Sequence, residues 1–193
     1  MQHEKLNAVS AAGADIQKVV GMIEGCHAEG RYYVECHDAD GNLKWSDVID
    51  NIVVNVGKNL ALDTLFAGSA YTVTGPYMGL AGGTPASATA TDTMASKTGW
   101  TEVGGTNAPA YSGTRKTAVF SAAATGSKAL SSNLSFTFTS GGTVAGCGIV
   151  TGSGAVNTLD STAGVLYSIG AFTGGSKTVA SSDSLSVSYT ASL

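Results

Sequence analysis

Two Cys-His pairs are the first residues along the chain that could do chemistry. Cys26 and His27 are followed ten residues later by Cys36 and His37, and two thiolates with two imidazoles can bind Zn²⁺. The spacing matches no common zinc module. Neighbouring residues of a strand also point to opposite faces, so Cys36 is expected to face the core and His37 the solvent. The pattern therefore predicts an ordinary buried cysteine beside a surface histidine, with no metal and no other cofactor.

A second cluster, Asp38, Asp40 and Asn42, places oxygen ligands at alternate positions, as a calcium-binding loop does. A loop of the EF-hand type needs glycine at its sixth position and glutamate at its twelfth. Counted from Asp38, those positions hold Leu43 and Ile49. Because Asp, Asn and Gly are also the residues that tight turns require, the segment is predicted to be a hairpin turn.

The segment GAFTGGSKT, residues 170–178, is close to a phosphate-binding loop. That loop requires Gly, Lys and Ser or Thr in consecutive positions at the start of a helix. Here Ser176 separates Gly175 from Lys177, and the residues that follow have the pattern of a turn and a strand. The segment is therefore predicted to be a glycine hairpin between two strands.

Catalytic groups are sparse in this sequence. No G-x-S-x-G motif surrounds any of the serines, and no histidine follows His37, so a Ser-His-Asp triad would need a histidine to reach the β-rich part of the chain from its first fifth. The chain is predicted not to be an enzyme. One alternative is a hydrolase that uses paired loop carboxylates, for which the candidates are Asp92, Glu102, Asp160 and Asp183.

Composition excludes several classes of function. The net charge of −4 and the scattered Lys and Arg residues argue against nucleic-acid binding, which needs clustered cations. No apolar stretch approaches the ~18 residues of a membrane span, and residues 1–10 lack the basic and apolar regions of a signal peptide. Three cysteines without a framework spacing fit a chain made in a reducing cytoplasm.

The composition changes near residue 66. The first 66 residues hold 15 charged side chains, whereas the remaining 127 hold 9 and are rich in Gly, Ala, Ser and Thr. Such a tract can be disordered, but its net charge is near zero and apolar residues recur in it at strand spacing. It is predicted to fold, with a small, polar, nearly uncharged surface that is easily desolvated against a neighbour.

Residues 1–28 are predicted to form an N-terminal arm with a short amphipathic helix, capped by Asp15 and ended by Gly25. A helix of ~10 residues is marginal alone in water, so it must dock either on its own domain or on a neighbouring subunit. The candidate partner-binding residues of the arm follow the i, i+3, i+4, i+7 pattern of one helical face and are Ile16, Val19, Val20 and Ile23.

Residues 31–46 predict a β-hairpin, because Tyr32, Val34 and Cys36 alternate with polar residues on one side of the turn and apolar alternation resumes after it.

Residues 48–66 are the strongest helix candidate in the rest of the chain, and the helix is placed near 56–67. Its apolar residues are Val56, Leu60, Leu62, Leu65 and Phe66. An alternative is that IVVNV, residues 52–56, forms a strand that leads into a shorter helix.

Beyond Gly68 the sequence predicts short strands separated by turns of Gly, Ser, Thr and Asn. Strands at this spacing suggest a mainly β chain with an antiparallel sandwich, jelly-roll or immunoglobulin-like, over residues 29–193. Few strand signals occur near 81–116, where a long loop is expected. The predicted strands are 71–74, 77–80, 117–121, 134–139, 143–150, 165–170 and 185–191.

Trp100 is the tryptophan that falls in this expected loop. Tryptophan often dominates interfaces, so Trp100 is a candidate partner-binding residue. The alternative is that its ring holds the loop to its own sheet.

Six segments carry a family resemblance: YVECHDADGNLKW (33–45), DNIVVNVGKN (50–59), YMGL (77–80), DTMASKTGWTE (92–102), GVLYSIGAFTGG (164–175) and SSDSLSVSYTA (181–191). Together they resemble small β-rich structural proteins of tailed bacteriophages. Residues 1–30 are not part of this resemblance.

The resemblance implies a virion protein that works by packing and has no catalytic residues to carry over. Such proteins occur as capsid cement or decoration proteins, or as collar and tail-fibre components. We therefore expect a capsid cement protein that contacts the major capsid protein and copies of itself, made in the bacterial cytoplasm and located in the virion. The alternative is a collar or tail-fibre component that binds the tail or a host surface.

Overall fold

A computed structural model describes residues 27–66 and 73–193, which are mainly β with antiparallel sheets. The predicted arm residues Ile16, Val19, Val20 and Ile23 lie outside this part of the chain. In order, the elements are β1 (Glu29–His37), β2 (Leu43–Asp50), β3 (Ile52–Val53), α1 (Asn55–Phe66), β4 (Thr74–Gly83), a 3-10 turn (Pro85–Ser87), β5 (Trp100–Val103), β6 (Lys116–Thr117), β7 (Ser127–Ala129), β8 (Leu134–Thr137), β9 (Gly142–Val144), β10 (Gly146–Gly152), β11 (Val165–Ala171), β12 (Lys177–Val179) and β13 (Ser184–Ser192).

The first sheet has five strands, and β13 lies at its centre. Its order is β2-β1-β13-β7, and β8 also pairs with β13. Strands β1 and β2 form the predicted hairpin, which is longer than 31–46 at both ends. Apolar and polar residues alternate along β1 and β13, so one face of this sheet is buried and the other faces solvent.

The turn between β1 and β2 is built by the cluster that resembled a calcium loop. The Oδ1 atom of Asp38 accepts hydrogen bonds from the backbone N–H groups of Asp40 and Asn42, at 2.9 and 2.8 Å. Gly41 has a φ of 86°, a left-handed conformation that favours glycine. The hairpin-turn prediction is confirmed, and the Asn42 bonds lower the pKa of Asp38.

The second sheet has six strands in the order β3-β11-β10-β4-β5, with β6 paired to β4. Strands β9 and β12 form a separate two-stranded sheet.

Two predictions about the second half of the chain are wrong. The expected loop over 81–116 contains the end of β4, the 3-10 turn and β5, because the short strand WTEV carries too few residues to show a period. Segment 170–178 joins two strands but is not a hairpin, since β12 pairs with β9 and not with β11.

One buried cluster joins the facing sides of the two larger sheets. It packs Val34 and Val187 of the first sheet against Met78, Leu80 and Ile149 of the second. A smaller cluster, which includes Ala88, Met94 and Trp100, covers the other side of the second sheet. Strand β10 is consequently buried along almost its whole length, as expected for a strand with both faces covered.

Helix α1 is separated from β3 by one residue and lies close to the predicted 56–67, and of the alternative strand 52–56 only Ile52 and Val53 belong to β3. The helix lies against β11 through Gly57 and Leu60, its two buried residues. An added Cβ at Gly57 would lie 2.5 Å from the carbonyl oxygen of Tyr167, so the close approach requires glycine. Within the described ranges no helix is long and apolar enough to cross a bilayer.

Candidate interaction surfaces

The solvent face of the first sheet carries a strip of small hydroxyl side chains, which we call the serine-rich face. Alternation along β13 and β8 turns these side chains outwards while Leu185, Val187 and Phe136 enter the core. The register places the two rows side by side, Ser186 opposite Ser135. The serine-rich face consists of Ser184, Ser186, Ser188, Thr190, Ser135 and Thr137.

Strands β1 and β2 continue this face with paired charges and two apolar side chains. The Nε atom of Arg31 donates to Oδ1 of Asp50 at 2.6 Å. Beside this pair, Tyr33 lies between Val48 and Ser188 in the register, and its side chain is about half exposed, as is that of Val48. The solvent face therefore has an uncharged half and a half whose charges are partly neutralised.

Among the described residues, an apolar groove opens where α1 meets the ends of the two sheets. Its volume is about 570 Å³, within the range of ligand and peptide sites. Both sheets and the helix contribute to its walls, and Lys128 is the charged residue among those that line it. The groove is lined by Gly57, Leu60, Ala61, Thr64, Leu65, Val73, Pro76, Phe120, Lys128, Ile149, Thr151, Tyr167, Tyr189, Ala191 and Leu193.

The rim of the groove is unusually apolar for a solvent-exposed edge. Leu65 and Leu193 are 73% and 75% exposed, and Phe66 of the same helix is 74% exposed. Strand β1 starts beside this rim, because Glu29 pairs with Ser192 and Gly30 with Ala191. The first residues of β1 therefore lie next to the groove.

No protein family, curated protein or solved structure matches this chain.

Asp92, the first of the four candidate carboxylates, is buried in a network of hydrogen bonds. It accepts bonds from the backbone N–H and the hydroxyl of Thr98, at 2.9 and 2.7 Å, from the hydroxyl of Thr89 at 2.9 Å and from Nε1 of Trp100 at 2.8 Å. Burial alone would raise the pKa of Asp92, but these bonds outweigh it and lower the pKa to about 2. The carboxylate organises the loop between β4 and β5.

Glu102 and Asp160 lie in a second network around Arg115. Arg115 donates to both oxygens of Glu102 and to the backbone oxygens of Val156 and Ser161. Glu102 also accepts the N–H of Asp160 at 3.0 Å, and Asp160 is exposed and accepts the N–H of Thr106 at 2.7 Å. The network ties β5 to the segment between β10 and β11.

Asp183, the fourth candidate, is buried and accepts a bond from Nζ of Lys44 at 2.5 Å and from the N–H of Ala180 at 2.7 Å. The bond to Asp183 raises the pKa of Lys44. The structure thus brings Glu102 and Asp160 together and places Asp92 and Asp183 in separate networks. Each of the four carboxylates accepts hydrogen bonds that hold a loop or strand in place.

Trp100 lies within the fold, where its ring is 5% exposed and belongs to the smaller buried cluster. Its indole N–H is bonded to Asp92. This is the geometry of the alternative in which the ring holds the loop to its own sheet, and a partner-binding role would require the ring to leave the core.

The cysteine-histidine pair of β1 has the expected orientation, with Cys36 buried and the neighbouring His37 partly exposed. Burial raises the pKa of the Cys36 thiol to about 11 and that of the Cys147 thiol further. Across residues 27–66 and 73–193, no three His, Cys, Asp or Glu side chains come close enough to hold a metal ion.

The sequence does not predict the groove. Leu62, Leu65 and Phe66 are apolar residues of the helix, yet all three are largely exposed. The signal that could have found it is Gly57, because a glycine inside a helix often marks a close approach. With α1 pressed on β11 at Gly57, the apolar residues five to nine positions later remain exposed.

Proposed function

We propose that this chain is a non-enzymatic structural subunit of a virion, and specifically a capsid cement protein that packs on the major capsid protein and on copies of itself. The observation that carries the proposal is the serine-rich face, together with the resemblance of segments over residues 31–191 to phage structural proteins. Small hydroxyl side chains lose little conformational entropy when they are buried. They also lack the charges whose desolvation would oppose packing.

The carboxylates support the non-enzymatic part of the proposal. A general acid or base must reach the substrate, whereas the side chains of Asp92, Glu102 and Asp183 are buried and bonded to their own chain. Their geometry suits the stabilisation of loops.

We also propose that the two large sheets form a β-sandwich of jelly-roll or immunoglobulin-like order, with residues 29–193 as one domain. The buried cluster shared by both sheets supports this proposal.

The first experiment is to measure the copy number per purified particle, by quantitative mass spectrometry against the major shell protein. A ratio close to one, or a simple fraction of it, is the result expected for a protein on the capsid lattice, because lattice positions repeat with the shell symmetry. A ratio of a few per cent would overturn the cement role in favour of a collar or tail-fibre component. Absence from the particle would overturn the virion role itself.

A second experiment tests whether the serine-rich face is the surface that contacts the particle. Ser135→Arg puts a charge on the uncharged half of the serine-rich face, opposite Ser186, while its side chain still points to solvent, so the fold is expected to survive. Incorporation into particles is expected to fall by about tenfold, since an interfacial charge without a partner costs more than the ~1.4 kcal/mol that a factor of ten represents. Thr162→Arg is the matched control, because Thr162 is exposed on a loop away from this face. Equal incorporation of both variants would exclude the serine-rich face as the contact.

A further inference from the structure

We propose that the apolar groove binds residues 16–23 of the same chain. The occupant is the segment with Ile16, Val19, Val20 and Ile23 on one helical face. This inference is independent of the serine-rich face and of any role in a virion.

The groove needs an apolar occupant. Its walls include Leu60, Phe120 and Tyr167, and Leu65 and Leu193 stand at its rim with about three quarters of their surface exposed. Folded chains rarely leave a contiguous apolar surface of this kind open unless something binds there. An eight-residue helical segment is about 12 Å long, and its four β-branched side chains supply the matching apolar surface.

The position of β1 favours the same chain as the source. Glu29 pairs with Ser192, next to the groove residues Ala191 and Leu193. Five residues, 24–28, separate Ile23 from Glu29, and five residues span at most about 17 Å. A connection of that length keeps the segment at an effective concentration on the order of millimolar, so a segment from another copy competes poorly with it at ordinary protein concentrations.

The charges are also complementary. Lys128 is the charged residue of the groove lining, and the apolar positions of the segment are bounded by Asp15 and Glu24. An acidic residue at either end of the docked segment can approach this ammonium group, which favours docking by a modest amount at a surface site.

The test uses the full-length chain with the photoreactive substitution Val19→p-benzoylphenylalanine, irradiated at low micromolar concentration. The result expected is a crosslinked monomer whose crosslinks map by mass spectrometry to α1 or to the end of β13. A crosslinked dimer would overturn the assignment in favour of arm exchange between copies. Crosslinks elsewhere in the chain, or none above background, would overturn the groove as the site.

A matched pair of variants in the crosslinking background decides whether the groove is responsible. Leu65→Asp should lower the crosslink yield by about tenfold, because it replaces an apolar contact of the docked segment with a charge that docking would have to desolvate. Leu62→Asp is the control, since Leu62 is exposed on the same helix but does not line the groove.

A second matched pair changes the segment. Val20→Asp should abolish the crosslink, whereas Gln17→Asp on the other face of the helix should preserve it. Equal effects within either pair would overturn the proposal. Neither experiment involves particle assembly, so its failure is separate from a failure of the proposed function.

Discussion

Arg115 and Glu102 form a buried two-pronged ion pair in which Nε and Nη2 of the guanidinium lie 2.7 Å from Oε1 and Oε2 of the carboxylate. Both side chains are almost completely buried. The remaining Arg115 donors bind backbone oxygens of the segment that precedes β11. The pair therefore holds together β5, β6 and this segment.

Arg115→Met should lower the free energy of unfolding by ~3–5 kcal/mol, because it leaves the Glu102 carboxylate buried without its partner. The double variant Glu102→Leu/Arg115→Met should lose less than the sum of the two single variants, since it removes both charges. Urea unfolding followed by circular dichroism measures these values. Lys58→Met, at an exposed position of α1, is the control and should cost no more than ~0.5 kcal/mol. A loss below ~1 kcal/mol for Arg115→Met would contradict the expectation.

Asp92 should make stability depend on pH in the acid range. Its pKa of about 2 in the folded chain is below the ordinary value near 3.8, so its contribution is present in full above about pH 4 and is lost as the pH falls towards 2. The contribution is on the order of 2 kcal/mol at neutral pH.

The measurement is the difference in unfolding free energy between the wild type and Asp92→Asn as a function of pH. The difference should be largest above pH 4 and should shrink steadily below it, because a protonated Asp92 resembles the amide. A difference that stays constant down to pH 2 would show that the carboxylate charge does not matter to the loop.

Gly57→Ala should destabilise the chain by ~1–3 kcal/mol although alanine is the better helix former. The helix preference favours alanine by about 1 kcal/mol. Against it, the added Cβ would lie 2.5 and 2.8 Å from backbone atoms of Tyr167, which forces α1 away from β11 and loosens the packing. The comparison of Asn59→Ala with Asn59→Gly gives the helix preference alone, since Asn59 is exposed on the same helix and does not line the groove. A stabilising Gly57→Ala would show that α1 does not pack closely on β11.

The two buried cysteines should resist thiol reagents in the folded chain. Burial raises the pKa of Cys36 to about 11 and that of Cys147 even more, so the reactive thiolate is scarce and shielded at pH 8. In a Cys26→Ser background, a disulfide reagent should modify neither thiol in buffer and both in denaturant. Rapid modification in buffer would mean that one of these strands opens readily.

The parts of the fold that could be predicted are those with a strong local period. The alternation of Tyr32, Val34 and Cys36 gives the hairpin and its buried face, and Asp38 with Gly41 gives its turn. Strand β5 could not be predicted, because it has only four residues and one of its three buried residues is the charged Glu102, so its sequence shows no apolar alternation. The register of β12 could not be predicted either, since its partner β9 lies more than thirty residues earlier in the chain.

The candidate interaction surfaces also have features that the sequence predicts and features that it does not. The sequence by itself determined the serine-rich face, because hydroxyl residues at every second position of a strand must share one side of it. It also determined that charged groups are few beyond residue 66. Only the tertiary structure decided that Trp100 is buried, that Asp92 and Glu102 are bonded to their own loops, and that α1 leaves an apolar groove open beside the start of β1. These outcomes depend on contacts between residues far apart in the chain, and no local period records such contacts.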